Sequence, residues 1–536
     1  MRRPGREVYI AGVGLTKVDL TGKVFGSVFD LFRDAHERAL EVSPIRSFDA
    51  LQVGIMDSEE FEDRANIATK IADRLDMVGA PAVRTETASS TGASAFHEAC
   101  YKIQSGAADH VLVVAGERMK NVTTQVATAI MSKTVDPVER RFGFTMPALI
   151  ALVTQAFFAH QRVPSEEIPD LLSRLMFRAH ALGAKNRLAA FYEKPEPLSA
   201  YFDETRNLPV ATPLRRKDCS PMCDGAAAVI LTATPQAVRV AGLGSATDTS
   251  SLLDRADLHR LSATRRAAAF AYQAAGIREP REVAGLVCEL HDAFNSLLPI
   301  NLVDLGLFDA EAAASALVGD GRGEDPADDP YQNPETGPRG RIPTNLSGGL
   351  KARGHPVGGT GLFQIAEIYL QLARRFPNAD AQVRDARVGL SHSIGGPGNN
   401  VYVTLLELSQ NRRERAEEFE ALPRYIERAS SEWLPAQELH GRRARIEAAT
   451  TIYVTGGDDG PIHVALLSIG GRRVFAKLDQ PAEPGVDLGR ALAGRRVRFL
   501  VKDDGDHYFQ PERDRWDVPS LIGAVKQRMF GKSLSS

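Results

Sequence analysis

The stretch "VRVAGLG", residues 238–244, repeats near mid-chain what "VYIAGVG", residues 8–14, sets out near the start. Each opens the same succession: a buried strand, helical pattern, a glycine-rich turn running into an apolar helix, and a closing strand. The closing strands are "DGAAAVILTA", from Asp224, and "GPGNNVYVTLLE", from Gly396. Two apolar strands often look alike by chance. The matched order of the elements between them is what argues for two halves related by duplication.

Between these markers, "DALQVGIM", "HVLVVAGE", "AGLVCEL" and "ARVGLSHS" also read as buried strands, and they alternate with longer helical patterns. That alternation predicts an α/β fold with helices covering the sheet faces. The first half takes residues 1–235, including a helical insertion over the core at about 117–216, and the second half takes 236–408. Residues 318–341 are acidic and rich in Gly and Pro; a solvated surface insert is preferred there to a lid near His355.

After Leu408 the texture changes. Residues 409–436 read as a charged helical linker. Short alternating strands over 437–512 predict a small β-barrel of OB type. In the tail, 513–536, Leu521, Ile522, Val525 and Met529 form one face of a helix. That face is expected to dock on the protein itself rather than on a membrane.

Bulk composition excludes several classes. The chain of 536 residues is 43% hydrophobic and 25% charged, with net charge −3. Such a balance makes no bulk case for nucleic acid or a membrane surface. No stretch approaches the roughly 18 apolar residues of a membrane span, and the N-terminus lacks the apolar run of a secretion signal. Four cysteines in a chain this size are no disulfide framework, so a cytoplasmic location is expected. Cys219 and Cys223 lie four apart, but two further ligands at comparable spacing are missing, and no metal is expected. The barrel is rich in arginine but poor in interleaved aromatics, which argues against single-stranded nucleic acid.

Three loops can carry chemistry. Ser89 and Ser90 precede a helix in "ASSTG". His291 and Asp292 follow a strand in "ELHDAFNS". His355 sits between glycines in "GGLKARGHPVGGTG". One serine and two histidines can supply a nucleophile, its base and an oxyanion clamp. Two helix N-termini brought together also favour negative charge.

Taken in order, "REVYIAGVGLTK", "SSTGASAF", "GAADHVLVVAGERM", "KDCSPMCDGAAAVIL", "ELHDAF", "NLSGGLKARGHPVGGTG" and "LSHSIGGPGNN" resemble the thiolase superfamily over residues 6–408, in its archaeal and sterol-carrier-protein-type branch. The resemblance implies a five-layer α-β-α-β-α fold, a coenzyme A ester as ligand and a homodimer. It puts the family's nucleophilic cysteine on Ser89, its base on His355, and its oxyanion-hole histidine on His291. Gly396, Asp292, Asn345 and Ser393 fall in supporting positions, and Arg141, Arg178 and Arg187 are candidates for substrate contact by location. The family's second, acid/base cysteine falls on Ser393 or Ala293, so neither candidate position holds a thiol. Related retro-aldolases carry Tyr in the loops where His291 and "GHP" stand here, so aldolase chemistry is not favoured.

A serine hydroxyl is a far weaker acid than a thiol, and a helix terminus that ionises cysteine will not ionise it. Ser89 needs concerted proton removal by His355. Three functions follow as expectations: an acyl-CoA-dependent acyltransferase that is an inefficient thiolase; a non-catalytic CoA-ester-binding protein; and CoA-thioester carbon–carbon cleavage or decarboxylation without an acyl-enzyme. The barrel is expected to dock on the core or on a partner subunit.

Overall fold

The computed structural model describes residues 5–203, 205–319, 328–411, 422–423, 425–429, 431, 436–453, 461–480, 488–503, 505–512 and 518. Strands β1 (Tyr9–Leu15), β2 (Ala50–Gly54), β3 (Ala82–Thr85) and β4 (His110–Arg118) come first. A short hairpin, β5 (Pro209–Ala211) and β6 (Leu214–Arg215), precedes β7 (Asp224–Thr232), β8 (Val238–Thr247), β9 (Leu286–Leu290), β10 (Val388–Gly395) and β11 (Asn400–Leu408).

Nine of these strands form one sheet in the order β3-β2-β4-β7-β1-β8-β11-β10-β9. The order is a palindrome about the β1–β8 boundary, where Ile10 pairs with Val238. Pairing sense repeats as well. β2–β4 and β9–β10 are parallel, β4–β7 and β10–β11 are antiparallel, and so are β1–β7 and β8–β11. Even β3 has a remnant partner, the single parallel bridge Cys288–Thr344 beside β9. The two halves are thus the same unit used twice, and the two echoing stretches are its central strands.

Five layers result. Outer helices Val28–Val42 and Ser262–Ala275 bury one face each on their own half. The central helices Thr91–Gln104 and Thr360–Leu372 are buried nearly all round and touch strands of both halves, the pattern expected of a core helix. Glycine lets them approach. A Cβ on Gly92 would lie 2.7 Å from the Leu362 nitrogen, and one on Gly361 would lie 2.6 Å from the Ala93 nitrogen.

The C-terminal strands are β12 (Arg443–Ile452), β13 (Ile462–Ile469), β14 (Arg472–Leu478), β15 (Arg496–Val501) and β16 (His507–Pro511). They close as β12-β13-β14-β16-β15 and back to β12, around Ile446, Leu467, Val474, Phe499 and Phe509. The barrel docks on the helical insertion of the first half. Hairpin β5–β6 joins its sheet through Ala211 and Ile452, and Phe475 packs on Phe144, ring centroids 4.9 Å apart.

Two further segments are seen in part. Among the described residues of 409–436 there is no helix beyond the short turn Ser409–Asn411. Residues 412–421, which carry most of the helical pattern, lie outside the described residues; beyond them Arg428 bridges Arg255 and Ser431 bridges Arg473, one partner from the core and one from the barrel. Within 318–341 the described part is anchored at one side and open at the other: Asp329, Gln332, Pro334, Arg339 and Arg341 are exposed, while Asn333 and Thr336 are buried. Asn333 is buried; its Oδ1 accepts the Glu335 and Thr336 amides and its Nδ2 donates to the Leu317 carbonyl. Residues 320–327 lie outside the described residues, as does the tail helix expected at 513–536 apart from the buried Val518. No helix among the described residues is long and apolar enough to cross a membrane.

Candidate active site

Ser89 stands in the turn between β3 and the first central helix. Hydroxyls of its neighbours stitch this turn. Thr91 Oγ1 accepts the Thr87 amide at 2.9 Å and donates to the Ala88 carbonyl at 2.6 Å, and Ser90 Oγ donates to the Thr87 carbonyl at 2.7 Å. Ala88 is held at φ +54°, a left-handed conformation uncommon for a residue with a Cβ. Ser89 alone in this group has a hydroxyl without a partner among the described residues, and it lines a cavity of about 210 Å³.

His355 and His291 line the same cavity. Their rings meet edge to face, centroids 5.4 Å apart and planes at 90°. His355 Nδ1 is bonded to Thr360 Oγ1 at 2.7 Å, at the start of the second central helix, and its amide donates to Cys223 Sγ at 3.1 Å. That leaves Nε2 for the cavity. Burial, with the Arg353 guanidinium nearby, pushes the His355 pKa down to about 3. His291 follows β9; its carbonyl accepts Asn301 Nδ2 at 2.7 Å, while its own Nδ1 is buried without a partner. Burial, then His355, His392 and Arg353, hold His291 well below the usual imidazole range. Both rings are therefore neutral, able to accept a proton or donate an N–H.

Around them are buried clamps. Glu117 accepts the amides of Met56 (2.8 Å) and Gly358 (3.2 Å), tying the end of β4 to the "GHPVGG" turn, and burial raises its pKa to about 8. Arg353 pairs with Glu367 at 3.1 Å beneath His355.

The other expected site residues separate by role. Gly396 lines the cavity beside Ser89. Asn345 instead grips Leu290 from behind, accepting its amide at 2.6 Å and donating to its carbonyl at 2.9 Å. Asp292 accepts the Leu350 amide at 2.7 Å, and burial raises its pKa to about 6. Ser393 is fully buried next to Gly361, its Oγ unpartnered, and does not line the cavity. Arg178 is corrected: it is buried, and its guanidinium donates to the carbonyls of Thr336 (3.1 Å) and Thr344 (2.7 Å), so it organises the chain before His355 rather than facing a ligand. Arg141 pairs with Asp506 of the barrel at 2.6 Å, and Arg187 is exposed away from the cavity.

Sequence reasoning missed the apolar wall. Met119, Met131, Met146 and Met222, four of the nine methionines, line this one cavity together with Phe294 and Cys219. They come from separate segments, Met131 and Met146 from two different helices, and no motif links them. Methionine is flexible and polarizable, and suits an irregular apolar ligand surface.

The thiolase N-terminal domain profile matches residues 8–163, and the thiolase C-terminal domain-like profile matches 244–408. An acetyl-CoA acetyltransferase of Methanocaldococcus jannaschii is 33% identical over 75% of this chain and 99% of its own length. Sterol carrier protein 2 of Bos taurus is 28% identical over 78% of this chain and 75% of its own. A monomeric SCP2-thiolase like protein type 1 from Mycobacterium smegmatis shares the fold over 96% of this chain and all of its own, with TM-score 0.69 at 17% identity. With its duplicated sheet, its paired buried helices and these matches, the chain belongs to the thiolase superfamily.

Proposed function

We propose that the protein is an acyl-CoA-dependent acyltransferase of thiolase type in which Ser89 receives the acyl group. The observation that carries this reading is the orientation of His355. Thr360 holds its Nδ1 at 2.7 Å, burial keeps the ring neutral, and Nε2 is left for the cavity that the unpartnered Ser89 hydroxyl also lines. In the proposed step Ser89 Oγ attacks the thioester carbonyl as its proton passes to His355 Nε2. The carbon–sulfur bond breaks, and the departing CoA sulfur takes that proton. His291 and backbone near Gly396 steady the oxyanion. The product is an oxyester, a less reactive donor to a carbon nucleophile than a thioester, so reversible thiolysis is slow. Coenzyme A esters are substrates here, and no resident cofactor is invoked. A homodimer belongs to this reading, and sedimentation velocity tests it.

Intact-mass and peptide-mapping spectrometry after incubation with acetyl-CoA and longer acyl-CoAs is the test. An adduct on Ser89, absent in Ser89→Ala, is expected. No adduct, with turnover unchanged in Ser89→Ala, overturns the proposal and favours carbon–carbon chemistry without an acyl-enzyme.

A second reading is a CoA-ester-binding protein without turnover. It is favoured by one observation: no hydrogen bond joins Ser89 to His355 among the described residues, and neither Ala293 nor Ser393 supplies a thiol. Calorimetry showing CoA-ester binding without turnover would support it.

A further inference from the structure

We propose that Arg473, on the barrel, is a positioning residue for the candidate active site, acting through Arg255 on the Gly395–Gly398 turn. Arg473 lies on β14, and its Nη1 donates to the Arg255 carbonyl, while its Nε pairs with Glu447 at 2.8 Å. Arg255 is completely buried. Its own guanidinium donates to the Pro397 carbonyl at 3.1 Å and faces Asp248 at 3.6 Å. The Asp248 amide donates to the Asn399 carbonyl at 3.0 Å. Residues 248–255 thus hold the turn at two points.

That turn reaches the nucleophile loop. A Cβ on Gly395 would lie 2.2 Å from the Thr87 carbonyl oxygen and 2.7 Å from Ser90 Oγ, so the two backbones are in direct contact. Gly396, next along, lines the cavity with Ser89. The chain of contacts runs from Arg473 to Arg255, to Pro397, and on to the loop of Ser89.

The insertion secures the same segment from the other side. Buried Glu139 accepts Ser251 Oγ at 2.8 Å and the Leu252 amide at 2.7 Å. The barrel also backs two other cavity-lining segments. Phe475 packs on Phe142 and Phe144, just before Thr145 and Met146. The Thr212 amide, in the hairpin that leads to Cys219, donates to the Thr451 carbonyl at 3.2 Å. A domain merely tethered to the core needs contact area anywhere; this one meets it where three cavity-lining segments begin. Losing one guanidinium-to-carbonyl bond frees a carbonyl and a backbone segment, an effect of about tenfold in a local equilibrium.

The test uses the full chain with Arg473→Ala and the conservative Arg473→Lys. Hydrogen exchange is followed in peptides covering 391–400 and 245–255, with β2 and β4 as controls. Exchange about tenfold faster in 391–400 for Arg473→Ala, unchanged in the controls and partly restored by Arg473→Lys, is the expected result. Unchanged exchange in 391–400, or an equal rise in the controls, overturns the proposal. A second readout rests on the function proposed above: butyryl-CoA affinity falls about tenfold while that of free CoA stays within twofold. If the natural protein binds neither ligand, that function fails, and the exchange result still decides the role of Arg473.

Discussion

His291 and His355 face each other edge to face, 5.4 Å between ring centroids, although one follows a strand of the second half and the other a glycine turn 64 residues later. Burial keeps both rings neutral, and for His291 the neighbouring His355 adds to that effect, because a proton on one ring repels a proton on the other. Both rings therefore stay unprotonated across the physiological range, and a base this weak takes a proton from Ser89 only in concert with attack on the substrate.

This makes acid stability a readout of His355. Its pKa is about 3 folded against an ordinary 6.5. Between those values the unfolded chain binds the extra proton, so the contribution of His355 is full above pH 6.5 and is lost as pH falls toward 3. Urea unfolding of the natural protein and of His355→Gln at pH 7 and pH 5 checks it. The natural protein is expected to lose up to about 1.4 kcal/mol per pH unit more than the variant over this window. Equal pH slopes contradict a buried neutral ring.

Ser89→Cys should create a thiolate-forming nucleophile in a cavity already furnished with His355 and His291. Acetoacetyl-CoA cleavage by CoA is expected to rise by about 10²-fold over the natural protein. If the cysteine variant alkylates readily with iodoacetamide and still shows no gain, the missing second thiol at Ala293 or Ser393 limits the reaction instead.

Gly92→Ala introduces a methyl group 2.7 Å from the Leu362 nitrogen and 3.1 Å from the Gly358 carbonyl oxygen. These are backbone atoms of the opposing helix start, which cannot swing aside. A loss of about 1–3 kcal/mol by chemical denaturation is expected, together with a shift of Ser89 relative to His355. Unchanged stability would mean that the central helices are less closely packed than described.

Arg178→Met separates a structural cation from a ligand contact. Removing the guanidinium strips the Thr336 and Thr344 carbonyls of a donor. A stability loss of about 1–3 kcal/mol is expected, with CoA affinity changed less than the fold. Loss of CoA binding at unchanged stability would return Arg178 to the ligand site.

The fold was legible because its signals are local and come twice. The repeat of "VYIAGVG" in "VRVAGLG", the two glycine turns before apolar helices and the alternation of short strands all depend on neighbours within a few residues. Ser89, His291 and His355 stood out as candidates for the same reason, since each sits in its own distinctive loop, and all three line one cavity. The helical pattern of the connector after Leu408 falls largely outside the described residues, and the part that is seen pairs its backbone with Arg255 and Arg473.

What the sequence by itself determined is the duplicated α/β plan and three candidate polar side chains that prove to line one cavity. Only the tertiary structure decided which arginine is buried and which is exposed, that four methionines wall one cavity, and that the barrel meets the segments lining it. The reason is physical: a motif is written in covalent neighbours, whereas burial and long-range hydrogen bonds join residues hundreds of positions apart, whose pairing no single stretch of chain encodes.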